Sequence, residues 1–148
     1  MRFFFYGTLG EGMDNPTIRA IRPKLMPGRP ATVRGSLHCI PDRDGWYPAL
    51  TVAGGESAVE GMIHDTRASF TPDDLARLDA YEAFDPADEA ASQYVRRTID
   101  VDCEGSLVPA EAYLFNGALP PGARRVEQPS FAAFLAAHGF KPLAPRDP

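Results

Sequence analysis

Hydrophobic positions at the start of the chain run without a break: Phe3, Phe4, Phe5 and Tyr6 follow one another, and the run stops at Gly7-Thr8. Such a run predicts a β-strand over residues 2–8, covered on both faces. Elsewhere the pattern alternates. Residues 32–40 (TVRGSLHCI), 58–65 (AVEGMIHD), 93–102 (QYVRRTIDVD) and 107–117 (LVPAEAYLFNG) approach an apolar residue at every second position. That is the period of a strand with one covered face, and the last two read as antiparallel partners. Residues 41–45 (PDRDG) carry turn chemistry, with Pro and Asp early and Gly late. The strand that follows, 46–52 (WYPALTV), contains Pro48 and is thereby confined to an edge or an irregular path.

Two segments have the helical period instead. Residues 71–84 (TPDDLARLDAYEAF) open with Thr71 as N-cap and Pro72 at the first helical position, and Asp73 and Asp74 complement the helix dipole. Leu75, Leu78 and Glu82 fall on one face, with Asp79 beside them. Residues 130–140 form an amphipathic helix with Ser130 as cap and Gly139 as stop. Five or six strands on short connections and two helices predict an α+β fold: a small closed or strongly curved, mostly antiparallel β-barrel with flanking helices. Closure would remove exposed sheet edges. One domain over 1–140 is expected, then a loosely held Pro-rich tail, 141–148.

Charge and composition narrow the classes of function. The 148 residues carry a net charge of -5, which offers no electrostatic footprint for nucleic acid. The pairs Arg96-Arg97 and Arg124-Arg125 are too short for a basic stripe and read as solvated strand or loop ends. No apolar run reaches the roughly 20 residues of a membrane helix. With no leader pattern at Met1, the expectation is a soluble, cytoplasmic chain. Cys39 and Cys103 lack metal-ligand or redox spacing and read as buried free thiols. His38, His64 and His138 are isolated, and no G-x-S-x-G occurs, so neither a metal or other cofactor nor a serine triad is expected.

Two features remain that can carry chemistry. Glu82 is either a solvated residue at a helix end or a carboxylate partly enclosed by Leu75, Leu78, Tyr81 and Phe84. Enclosure would raise its pKa and suit it to move protons near neutrality. The loop after Phe5 is either a tight glycine turn or a place where Gly7 admits a ligand to the backbone and successive N–H groups converge on an oxygen.

The segments FFFYGTL, WYPAL, AVEGMIHD, LDAYEAF and YVRR, in that order from Arg2 to about Asn116, resemble the γ-glutamylcyclotransferase-like (AIG2-like) superfamily. The resemblance implies that Tyr6, Gly7, Thr8 and Leu9 form a substrate-binding loop at one mouth of a small β-barrel. It implies Glu82 as the catalytic carboxylate, Tyr47 and Pro48 as a pocket wall, and Tyr94 as a residue lining the same cavity. The implied partner is a small γ-glutamyl substrate: an amine or amino-acid derivative cyclised to 5-oxoproline with release of the free amine. A non-catalytic module that binds a small metabolite in the same pocket is the alternative. The acidic stretch from Asp85 to Glu89 would either face a cationic amine or form a solvated loop. One residue departs from the family pattern: Ala83 stands where relatives commonly carry glycine, and would be strained if φ there is positive.

Overall fold

The computed structural model describes residues 1–7, 16–55 and 57–143. Its strands are β1 (Arg2–Phe5), β2 (Arg29–Asp42), β3 (Gly45–Thr51), β4 (Ser57–Asp65), β5 (Tyr94–Cys103), β6 (Ser106–Phe115) and the short β7 (Arg124–Arg125). Its α-helices are α1 (Pro16–Ile21), α2 (Pro72–Tyr81) and α3 (Phe131–His138).

Five strands close on themselves in the order β2-β4-β1-β6-β5, and β5 returns to β2 at Asp102 opposite Thr32. All pairings are antiparallel except β1 with β6, where Phe3 faces Glu111. The expected α+β barrel is therefore observed, as a mixed barrel with one parallel pair. β2 serves two partners. Arg29 to Gly35 pair with β4, and Ser36 to Asp42 pair with β3. The change of partner falls at Gly35, where a Cβ would lie 2.7 Å from the Thr51 carbonyl oxygen. Gly55 packs on the same point, since a Cβ there would approach the Gly35 Cα to 2.2 Å. Two missing side chains let β2 leave the barrel and carry β3 at the outer edge of the sheet, the place Pro48 requires.

β1 is covered on both faces, as its unbroken pattern predicts: Phe3 and Phe4 are wholly buried. Phe3 and Phe5 stack on one face at 5.5 Å, against Phe70 and His64 respectively. Phe4 occupies the other face over Gly61, where a Cβ would sit 2.6 Å from the ring. Each such burial is worth about 1.5–3 kcal/mol, so β1 is a principal anchor of the barrel.

Several boundaries differ from expectation. β1 ends at Phe5 rather than at residue 8. α2 ends at Tyr81, which leaves Glu82 as its cap rather than a residue inside it. α1 had no counterpart in the pattern: it has six residues, bounded by Pro16 and Pro23, and buries Thr17, Ile18 and Ile21. The start of the tail is hydrogen-bonded to β3. Trp46 N–H donates to the Lys141 carbonyl at 2.9 Å and Leu143 N–H to the Trp46 carbonyl at 2.7 Å, while Trp46 stacks on Phe140 at 4.6 Å. Arg124 lies over both of those rings. Cys39 and Cys103 are buried free thiols. Among the described residues, no helix is long and apolar enough to cross a membrane.

Candidate functional site

The site is built on α2, and the sequence holds that helix at both ends. At the start, Thr71 Oγ1 accepts the Asp74 N–H, and the Asp74 carboxylate accepts the Thr71 N–H at 2.8 Å, a reciprocal cap. Lys24 donates to both Asp74 oxygens at 2.8 Å. That hydrogen bond, then the one from the Thr71 backbone, draws the Asp74 pKa down to about 2.

At its end, α2 buries Leu78 in the core and then turns sharply. Phe84 N–H reaches back to the Asp79 carbonyl at 2.8 Å and Ala83 N–H to the Ala80 carbonyl at 3.1 Å, the paired bonds of a Schellman motif. The motif requires one left-handed residue, and that residue is Ala83, with φ 51°. The strain foreseen for alanine in place of glycine is therefore present. Phe84 beyond it is buried, and the Ala83 carbonyl accepts the Gln93 N–H at 3.1 Å, which ties the turn to the start of β5.

Glu82 sits immediately before this turn. Its side chain is half-buried, and burial of the carboxyl raises its pKa to about 7. The groups within its electrostatic reach are three tyrosines, each with its phenol pKa pushed up first by burial and further by the Glu82 charge. Tyr6 follows β1, Tyr94 opens β5, and Tyr113 lies on β6. Their hydroxyl protons are all committed. Tyr6 donates to the Tyr113 carbonyl, Tyr94 to the Pro48 carbonyl at 2.5 Å, and Tyr113 to Asp79 at 2.7 Å.

Pro48 also meets Gly7, where a Cβ would fall 2.5 Å from the proline ring. Burial, then the charge of Asp42, raises the pKa of the neighbouring Tyr47. The fold thus brings Tyr6, Gly7, Tyr47, Pro48, Glu82 and Tyr94 into one neighbourhood from four segments of the chain. Thr8 and Leu9 lie outside the described residues.

Three participants were not read from the sequence. Tyr113 is one. The others are Asp79 and Arg96, an ion pair at 3.0 Å in which Asp79 is only 5% exposed. The reading of Arg96 as a solvated residue is thereby corrected: it packs inward, over the Phe84 ring at 5.8 Å, while Arg97 points the other way and pairs with Glu89 at 2.6 Å. Adjacent strand residues face opposite sides, so two neighbouring arginines cannot share one environment. That rule was the available signal. The acidic stretch forms a loop capped by its own side chains: Asp85 accepts the Ala87 N–H, Asp88 the Ala91 N–H, and Glu89 holds Arg97.

A cavity of about 820 Å³ opens beside Tyr6 and Gly7, with Phe5, Glu60, Met62 and Asp102 in its wall. Glu82 is not among its lining residues. Among the described residues, no three His, Cys, Asp or Glu side chains converge as metal ligands.

The fold is a small closed barrel with Glu82 at the end of α2 and Tyr6, Tyr94 and Tyr113 around it. Residues 3–133 match the family described as gamma-glutamyl cyclotransferase, AIG2-like, and the chain belongs to that family. YkqA from Bacillus subtilis superposes with a TM-score of 0.63 at 15% identity, over 93% of this chain and 42% of that one. Kluyveromyces lactis allophanate hydrolase gives 0.64 at 10% identity, again over 93% of this chain but only 21% of the larger protein. The uropathogenic E. coli-specific protein c4763 gives 0.56 at 20%, covering 93% of this chain and 94% of its own length. At these identities the likeness is one of fold. The chain spans less than half of YkqA and about a fifth of the hydrolase. A comparison with curated proteins returned no significant match.

Proposed function

We propose that the protein is a γ-glutamyl cyclotransferase that converts a γ-glutamyl amine or γ-glutamyl amino acid to 5-oxoproline and the free amine. The observation that carries this reading is Glu82, a half-buried residue at the end of α2 whose carboxyl pKa is raised by burial to about 7. Membership of the γ-glutamyl cyclotransferase, AIG2-like family supports it.

The chemistry asks for what this site can provide. In a γ-glutamyl amide, the α-amino nitrogen attacks the γ-carbonyl and forms a five-membered ring; the amide C–N bond then breaks. The ammonium must first lose a proton, and the departing nitrogen must gain one. Glu82 accepts the first proton and returns it to the leaving amine, a double use for which a pKa near the working pH is best suited. Tyr6 and Tyr94 give their hydroxyl protons to backbone carbonyls. The Tyr94 oxygen therefore remains a neutral acceptor for the substrate ammonium.

The oxyanion that develops on the carbonyl is assigned to backbone N–H groups of the loop from Gly7 to Leu9, each such donor typically worth about 3 kcal/mol. Gly7 itself packs on Pro48. The pocket must also hold the glutamyl chain folded, since an extended chain cannot close a ring.

The test is mass-spectrometric detection of 5-oxoproline from a panel of γ-glutamyl amines and dipeptides, with wild type and Glu82→Gln. Product from wild type alone is expected. Equal turnover by the variant would remove Glu82 from the mechanism. Ligand-induced thermal stabilisation with no turnover by either protein would replace the enzyme by a metabolite-binding module.

A further inference from the structure

The turn after Glu82 carries an alanine in a conformation that favours glycine, and one side chain grips it from both sides. Arg96 Nε bonds Asp79 Oδ1 at 3.0 Å on the helix before the turn, and its guanidinium carbon lies over the Phe84 ring after it, 5.8 Å from the ring centre. On β6, Glu111 lies 3.7 Å from the same guanidinium, and the Tyr113 hydroxyl donates to the same Asp79 oxygen. Asp79 and Phe84 are also the two ends of the longer Schellman bond. Arg96 therefore spans the hydrogen bond that defines the turn.

We propose that Arg96 is a positioning residue: by clamping Asp79 to Phe84 it holds the strained Ala83 turn in its left-handed conformation and thereby keeps the Glu82 carboxyl inside the site. The inference rests on the reading of Glu82 as the acid–base group. A glycine at this position would hold the turn without assistance, because it adopts positive φ at no steric cost. An alanine needs the surrounding structure to determine its conformation, and strain of this kind persists only where neighbours impose it. Lysine cannot replace arginine here, since it lacks the fork that reaches both Asp79 and Glu111.

The experiment compares wild type, Arg96→Lys, Ala83→Gly and the double variant. The lysine variant keeps the positive charge beside buried Asp79, so that the fold is retained, and circular dichroism checks this. Expected for Arg96→Lys is a kcat lower by about tenfold to a hundredfold with KM changed by less than about threefold. Ala83→Gly alone changes kcat by less than about threefold, yet restores most of the lost kcat when added to Arg96→Lys, so the two effects are coupled rather than multiplicative.

A readout independent of turnover accompanies this: NMR titration of the Glu82 carboxyl, about 7 in wild type. In Arg96→Lys it should move toward the ordinary value of 4.5 as the carboxyl swings into water, and return in the double variant. The groups facing Glu82 are Tyr6, Tyr94 and Tyr113, which stay neutral throughout, and the charge at position 96 is unchanged. The titration therefore reports position. Wild-type kcat and an unmoved Glu82 titration in Arg96→Lys, with only the melting temperature lowered, would overturn the proposal. If wild type shows no turnover, the proposed function fails and the titration alone decides the clamp.

Discussion

Two helices of this protein end in the same way with different residues. α3 closes with Phe140 N–H on the Leu135 carbonyl and Gly139 N–H on the Ala136 carbonyl; α2 closes with the equivalent pair from Phe84 and Ala83. Gly139 has φ 67° and Ala83 has φ 51°. Glycine takes that conformation freely, whereas for alanine it costs roughly 1–2 kcal/mol. The glycine end is local in origin and would form wherever the sequence stood. The alanine end is imposed from outside, by Gln93, by buried Phe84 and by the Arg96–Asp79 pair. It is also the end that presents Glu82, so the strain lies beside the candidate chemistry and not at the helix that only packs.

Substitution at the residue before each turn should break the comparison most widely. Glu82→Gln should lower turnover by about 10²–10⁴-fold, the usual contribution of a positioned acid–base group, while leaving the fold intact. His138→Gln, at the corresponding position of α3, should leave turnover at the wild-type level. A loss of activity in the second variant as large as in the first would mean that the two ends are not functionally distinct.

The pH dependence of stability separates the two ends next. The folded protein holds the Glu82 proton up to about 7, whereas the unfolded chain releases it near 4.5. Between those values the folded state binds the extra proton, so stability is fully present below pH 4.5 and falls as pH rises through 7. The loss is roughly 3 kcal/mol. Urea denaturation of wild type and Glu82→Gln at pH 4 and pH 8 should show the variant gaining about that much relative to wild type across the interval. A difference that stays constant with pH would place the Glu82 carboxyl in water.

Exchanging the turn residues themselves should give smaller effects of opposite sign. At Gly139 an added Cβ meets nothing within 4 Å, so only the backbone conformation opposes it. Gly139→Ala should cost about 1 kcal/mol after allowance for the stiffer unfolded chain, a melting temperature lower by about 3 °C. Ala83→Gly relieves the corresponding strain and should gain at most about 1 kcal/mol. Calorimetry on the pair measures both. If Ala83→Gly destabilised the protein, the turn would not be strained as its dihedral angle indicates.

How far the pattern of residues reached depended on the range of the interactions. The caps at Thr71 and Ser130, the stop at Gly139, the edge position imposed by Pro48 and the double-sided burial of β1 all follow from near neighbours, and all are found. The six-residue α1 was not legible because a helix so short is stabilised by its buried face, which periodicity over two turns cannot specify. Within the candidate site, Glu82 and Tyr6 stood out through motifs. Tyr113 did not, since on β6 it is one aromatic among several alternating residues and only the closed barrel turns it toward Asp79.

The sequence by itself determined six of the strands and the two longer helices, and that one glutamate at a helix end and one glycine after the first strand were worth attention. These are consequences of side-chain period, capping and turn chemistry, which act over a few residues. Only the tertiary structure decided that β1 lies parallel to β6, that β5 closes on β2 at a single pair, that Gly7 meets Pro48, and that the Glu82 side chain is half-buried. It also decided that Ala83 turns left-handed with Arg96 across the turn. Each of these depends on groups distant in the chain being brought within a few ångströms, and no local preference encodes such a meeting; for Ala83 the local preference opposes it.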